Sequence, residues 1–175
     1  MNTSQNIFLT GFMGSGKSST AACLHEEYGF AVIEMDQQIE ENEGMTISEI
    51  FAWKGEEYFR TLETDFLRSL KSRAGVVVSC GGGVPLRECN VEAMKESGTV
   101  VYLTAKPETI FERVKNDTGR PLLEGHKDVG YIASMLEGRR PRYEAAADLC
   151  IVTDGLTPGE VAREIVHRLK SLENE

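Results

Sequence analysis

Eight residues near the N-terminus have the types and spacing for phosphate chemistry. Gly11-Phe12-Met13-Gly14-Ser15-Gly16-Lys17-Ser18 matches the pattern G-x-x-x-x-G-K-[S/T]. Glycines let the backbone turn tightly around an anion and aim its N–H groups inward, because no Cβ blocks the approach. A helix starting at about Lys17 points its positive end at the bound phosphate. The Lys17 ammonium reaches the outer phosphates, and the Ser18 hydroxyl is a ligand for Mg²⁺. The stretch is therefore expected to bind a nucleoside triphosphate.

Four further constellations carry chemically useful residues. Glu34-Met35-Asp36 enters the helical segment Gln37-Gln38-Ile39-Glu40, where Asp36 reads either as an N-cap or as a functional carboxylate. In Gly55-Glu56-Glu57-Tyr58-Phe59-Arg60-Thr61-Leu62-Glu63, the spacing puts Glu56, Arg60 and Glu63 on one helix face. That face is either a solvated ion-paired surface or a device holding the Arg60 guanidinium rigid to grip an anion. The opposite face, Phe59, Leu62, Phe66 and Leu70, is expected in the core. Ser79-Cys80-Gly81-Gly82-Gly83-Val84-Pro85 is either a loose turn or a place where backbone approaches a ligand. Finally, Asn116-Asp117-Thr118-Gly119-Arg120-Pro121-Leu122-Leu123 reads as a lid carrying one arginine. Gly138-Arg139-Arg140-Pro141-Arg142-Tyr143 after it clusters three arginines, which alternatively mark a helix C-terminus.

The elements that must position these residues are legible as short β-branched runs alternating with amphipathic segments. Strands are expected at Asn6–Thr10, Phe30–Ile33, Gly75–Ser79, Thr99–Leu103 and Leu149–Val152. Such continuous apolar runs suit parallel strands buried on both faces. Lys17–Tyr28 is expected to be a helix, and capping boxes start helices at Thr46-Ile47-Ser48-Glu49 and Thr157-Pro158-Gly159-Glu160. Val161, Ile165 and Leu169 then form one apolar stripe. This alternation predicts an α/β/α sandwich on a parallel sheet, with ligands beyond the carboxyl ends of the strands.

Composition sets the outer bounds. With 175 residues, the chain is expected to form a single domain. A net charge of −9 disfavours nucleic acid and anionic membrane as partners. Cys23, Cys80, Cys89 and Cys150 form no C-x-x-C pair, so reduced thiols are expected rather than zinc or disulfides. No apolar run reaches membrane-spanning length, and Met1 to Asn6 lacks the features of a secretory leader. A cytoplasmic protein is expected.

Together these stretches resemble the shikimate kinase family. The resemblance rests on Gly11 to Ser18, Met35-Asp36 with Ile39-Glu40, Gly55-Glu56 with Phe59-Arg60 and Glu63, Gly81-Gly82-Gly83, Arg120-Pro121-Leu122-Leu123, and Arg139 followed by Pro141 and Tyr143. It implies a P-loop fold like that of nucleoside monophosphate kinases, with a five-stranded parallel sheet in the order 2-3-1-4-5. It also implies a substrate-binding region at about 34–63 and a mobile lid at about 114–127. The implied reaction transfers the γ-phosphoryl of ATP to the 3-hydroxyl of shikimate, with one Mg²⁺ per subunit.

The resemblance assigns nucleotide contacts to Gly14, Ser15, Gly16, Lys17, Ser18, Ser19, Arg113 and Arg120, with Arg113 against adenine. It assigns the acceptor to Asp36, Arg60, Gly81, Gly82, Gly83 and Arg139, the two arginines gripping its carboxylate. Lys17, Asp36 and Arg120 would be catalytic. One position departs from the family pattern: Glu34 stands where many members carry aspartate. A water-mediated Mg²⁺ contact from that residue would have to be rearranged, and Ser79 stands where many P-loop enzymes place a metal-directed acid. Shikimate and ATP are the expected partners, and the protein is expected to act as a monomer. A gluconate-type kinase is the neighbouring alternative, and an ATP-dependent switch without an acceptor a more distant one.

Overall fold

Strand β1 (Asn6–Thr10) is the middle of a five-stranded sheet in the computed structural model, which describes residues 5–116 and 128–173. The others are β2 (Ala31–Glu34), β3 (Val76–Ser79), β4 (Gly98–Thr104) and β5 (Leu149–Val152). Every pairing is parallel, in the order β2-β3-β1-β4-β5, as expected. From β1 the chain builds β2 and β3 on one side, then crosses to β4 and β5 on the other. The carboxyl end of β1 therefore sits at the topological switch point, where such sheets open a crevice.

Side-chain alternation along the strands divides the core between two faces. Phe8, Val76, Val78 and Val100 point to a face covered by α2 (Met35–Glu43), α3 (Ile47–Lys54), α4 (Glu56–Ser69) and α5 (Glu88–Ser97). Ile7, Leu9, Val77, Val101 and Leu103 point the other way, against α1 (Lys17–Tyr28) and α8 (Pro158–Glu173). The expected stripe on α8 faces this core: Val161 and Ile165 are buried, with Leu169 packed at its margin. A third cluster joins Phe12 and Tyr102 to α6 (Pro107–Val114) and α7 (Val129–Ala146).

Both capping boxes form. The Thr46 hydroxyl accepts from the Glu49 N–H at 3.2 Å, and the Glu49 carboxylate accepts from the Thr46 N–H at 2.8 Å; Thr157 and Glu160 repeat the arrangement. The start of β1 is tied down by Asn6, which is fully buried. Its amide donates to the Arg73 and Leu70 carbonyls and accepts from the Val76 N–H.

Some expectations shift. Burial on both faces holds for β1 and β3 but not at the edges: Ala31 on β2 and Cys150 and Val152 on β5 are exposed, because an edge strand has a neighbour on one side only. Phe30 is not part of β2, since its N–H closes α1 on the Leu24 carbonyl after Gly29 takes a left-handed turn at φ 74°. The buried face of α4 is Phe59, Glu63, Thr64 and Leu67, with Leu62 and Phe66 only half-buried and Leu70 buried just beyond the helix.

Candidate active site

A cleft of about 1290 Å³ lies beyond the carboxyl ends of β1, β2, β3 and β5. Its nucleotide side is the loop between β1 and α1. Gly11 has φ 143° and Gly16 φ 97°, conformations that side chains rarely adopt, and a Cβ on Gly11 would lie 2.4 Å from the Leu103 carbonyl. The Lys17 ammonium crosses the loop to the Gly11 carbonyl at 2.8 Å and that of Phe12 at 3.2 Å. Ser15 Oγ is buried with no hydrogen-bond partner among the described residues. Arg113, from α6, closes the outer edge: it donates to the Gly14 carbonyl at 3.1 Å, and to the Thr153 hydroxyl and carbonyl at 3.1 and 3.2 Å. Gly14, Gly16, Ser18 and Ser19 complete this wall.

Between the loop and β2 three oxygens gather. The Ser18 hydroxyl donates to Glu34 Oε2 at 3.0 Å and lies 3.3 Å from the Ser79 hydroxyl. Glu34 therefore reaches Ser18 directly. Among the described residues no cluster of three His, Cys, Asp or Glu has metal-binding geometry.

The far side is built on the glycine triplet after β3. A Cβ on Gly81 would lie 3.0 Å from Asp36 Oδ1, one on Gly82 3.8 Å from Arg139 Nη1, and one on Gly83 2.6 Å from Arg60 Nη1. Gly81 also faces Glu63, whose Oε1 would lie 3.2 Å from the same Cβ, so all three glycines stand against charged groups and the loop is no slack turn. Asp36 is not an N-cap: Glu34 holds that position in α2, and Asp36 stands in the first turn. Arg60 donates to Glu63 at 2.8 Å and Glu56 at 3.3 Å, and Glu63 is fully buried, so this is not a solvated surface pair. The three arginines mark neither a loop nor a helix end but the interior of α7, around Pro141. Arg139 turns to the cleft, Arg140 pairs with Glu137, and Arg142 donates to the Leu86 carbonyl. The charged side chains of this far wall therefore project from helices, while the loops at the strand ends supply backbone.

Electrostatics distinguish the groups. Solvent reaches Asp36 through the open cleft, but protein crowds its carboxyl elsewhere. This burial raises its pKa above the ordinary value against the pull of Lys17 and Arg60, and Glu40 and Glu34 add to the rise. Burial also raises Glu63, opposed by Arg60. Burial alone would weaken the charge on Arg60, but its two carboxylate partners outweigh it and hold the guanidinium charged. Cys80 is buried, and burial pushes its thiol far above the usual range, as suits a small packing residue.

Sequence reasoning missed Thr153, Leu156 and Pro158 beside Arg113, and Ile47 and Phe51 on the far side of the cleft. None carries a motif, and only the fold brings them to the cleft. Arg120 and most of the expected lid lie outside the described residues.

Fold and site together define a P-loop kinase whose cleft continues from the phosphate loop to a far wall carrying Asp36, Arg60 and Arg139. A shikimate kinase family model matches residues 13–170. The shikimate kinase of Thermodesulfovibrio yellowstonii is 41% identical over 97% of this chain and 98% of its own, and that of Persephonella marina 43% over 95% and 99%. A solved structure of shikimate kinase from Acinetobacter baumannii in complex with shikimate superposes with a TM-score of 0.90 at 35% identity, covering 99% of this chain and 97% of that one. A gluconokinase from Sinorhizobium meliloti shares the fold at TM-score 0.63 and 24% identity, over 99% and 97%. The chain belongs to the shikimate kinase family.

Proposed function

We propose that this enzyme transfers the γ-phosphoryl group of ATP to the 3-hydroxyl of shikimate, giving shikimate 3-phosphate and ADP. The observation that carries this reading is the glycine triplet, whose three positions face Asp36, Arg139 and Arg60 in turn. Two guanidiniums suit a carboxylate, because the planar fork donates two parallel hydrogen bonds. Asp36 is then left to accept from a ring hydroxyl and orient it towards the nucleotide. Its raised pKa suits a group that takes up a proton as the hydroxyl attacks. The triphosphate lies along Gly14 to Ser19, with adenine between Arg113 and the Thr153–Pro158 segment. Lys17 moves from the loop carbonyls to the phosphate oxygens. Arg120 is assigned the charge that develops on the transferring phosphoryl.

The Ser18, Glu34 and Ser79 oxygens fit a hard divalent cation such as Mg²⁺, with Ser18 the direct ligand and the triphosphate supplying others. When bound there, the ion would supply positive charge against the triphosphate. Most of the rate enhancement then comes from positioning and from pre-arranged charge.

A gluconate-type kinase also handles an acidic sugar-like acceptor, but it does not require both arginines against a glycine triplet. Comparing shikimate with its methyl ester and with gluconate tests the reading. The ester should lose at least about a hundredfold in kcat/KM, since two charge-assisted hydrogen-bond sites go unanswered. Equal turnover of ester and acid would show that the arginines do not read a carboxylate. Preference for gluconate would favour the neighbouring kinase.

A further inference from the structure

Tyr143 heads the fully buried side chains by size, yet it carries a hydroxyl that must find a partner. The hydroxyl donates to the Gly82 carbonyl at 2.7 Å. The ring packs against Tyr102 of β4, centroids 5.2 Å apart, within the cluster that also holds Phe12 of the phosphate loop. One turn earlier on the same face of α7 stands Arg139, whose guanidinium lies 5.7 Å from the Phe12 ring centre. A Cβ on Gly82 would lie 3.8 Å from both Arg139 Nη1 and Tyr143 Oη. Gly82 and Arg139 line the cleft, whereas Tyr143 stands behind them.

We infer that Tyr143 is a positioning residue for the acceptor: its hydroxyl clamps the middle of the glycine loop to α7, fixing Gly81–Gly83 and Arg139 relative to one another. The inference rests on the reading that these groups hold the acceptor. The exit of the loop is anchored independently, because the buried Asn90 amide donates to the Val84 carbonyl at 3.1 Å and its oxygen accepts from Thr64 at 2.6 Å. Losing the Tyr143 hydroxyl therefore frees the middle of the loop without releasing its end.

Tyr143→Phe removes one oxygen and keeps the ring packing. Steady-state kinetics should show shikimate KM raised about tenfold, with ATP KM within about twofold and kcat falling less than KM rises. Combined with Arg139→Lys, its effect should be markedly less than additive, because the lysine has already lost the geometry that the hydroxyl maintains. Amide hydrogen exchange supplies a second readout: it should quicken at Val84, whose N–H closes the loop on the Gly81 carbonyl at 3.1 Å, and not at Cys80, whose N–H is bonded to the Leu9 carbonyl. An unchanged shikimate KM in the folded variant overturns the inference. So do equal rises in both KM values alongside a large loss of melting temperature, which mark a purely structural role. Absence of shikimate-stimulated ADP release in the parent enzyme would instead overturn the acceptor reading itself.

Discussion

Arg60 is held by Glu63 at 2.8 Å on its buried side and by Glu56 at 3.3 Å on its exposed side, so little rotamer freedom remains to be lost when it meets an anion. Arg60→Lys keeps the charge and loses the fork. Shikimate KM should rise roughly 10- to 100-fold while ATP KM stays nearly constant, and unchanged shikimate kinetics would remove Arg60 from the site. Asp36 invites a different test. Asp36→Asn keeps the shape and removes the proton acceptor, so kcat should fall about 10²- to 10³-fold with shikimate KM changed only a few-fold; turnover within a few-fold of the parent would end its proposed role. The same variant reports on stability. Asp36 titrates above 3.8 in the folded chain, so as pH rises the unfolded chain releases this proton first, and stability is lost through the raised value. At neutral pH Asp36→Asn should therefore melt above the parent. That advantage should shrink as pH falls and vanish only well below 3.8, where both states keep the proton. A variant that melts lower at neutral pH would contradict the raised pKa.

At the scale of elements, α4 does two jobs, filling the core with Phe59 and Leu67 while aiming Arg60 into the cleft. Its i,i+3 and i,i+4 spacing made the ion-paired group legible. Hydropathy did not reveal that Glu63 and Thr64 lie inside, because each is admitted by a polar partner: Arg60, one turn away on the same helix, for Glu63, and Asn90, distant in sequence, for Thr64. The arginine cluster on α7 misled for a related reason. Glycine and proline flank Arg139 and suggest a break, yet the helix runs through both, stabilised by tertiary packing of Ile132, Leu136 and Tyr143. The glycine triplet gives the sharpest test of how elements meet. At Gly83 the backbone is helical, with φ −87°, so an added methyl group strains nothing locally but would displace Arg60 from 2.6 Å. Gly83→Ala should leave the melting temperature within a few degrees and raise shikimate KM at least about tenfold. Gly11→Ala, forced against the Leu103 carbonyl at positive φ, should instead cost about 2–4 kcal/mol in stability, read by denaturant unfolding. If both variants behaved alike, the two glycines would not serve the separate purposes assigned to them.

Across the whole molecule, a parallel sheet was legible in the apolar runs and the phosphate-loop motif, whereas the strand order came from the family resemblance alone, and the cleft lies where that topology requires. The end of the cleft beside Arg113 was the least legible. Thr153, Leu156 and Pro158 come from the segment after β5, far from the phosphate loop in sequence, and meet it only because β5 lies beyond β4 in the sheet. The net charge is −9. Among the described residues the cleft lining balances four basic side chains, Lys17, Arg60, Arg113 and Arg139, against four acidic ones, Glu34, Asp36, Glu56 and Glu63. Attraction for an anion therefore rests on single placed guanidiniums rather than on a broad positive field. Both ligands bind the folded chain alone, so shikimate and ATP at about 100 times their dissociation constants should each add about 2.7 kcal/mol of stability. The most direct test of the central claim is ADP release from ATP·Mg²⁺ with shikimate, gluconate, AMP or no acceptor, followed by phosphorus NMR of the products. Release stimulated by shikimate alone, with a new phosphomonoester signal coupled to the proton at C3, is the predicted result. Slow release indifferent to every acceptor, or stimulation by gluconate or AMP in place of shikimate, would contradict it.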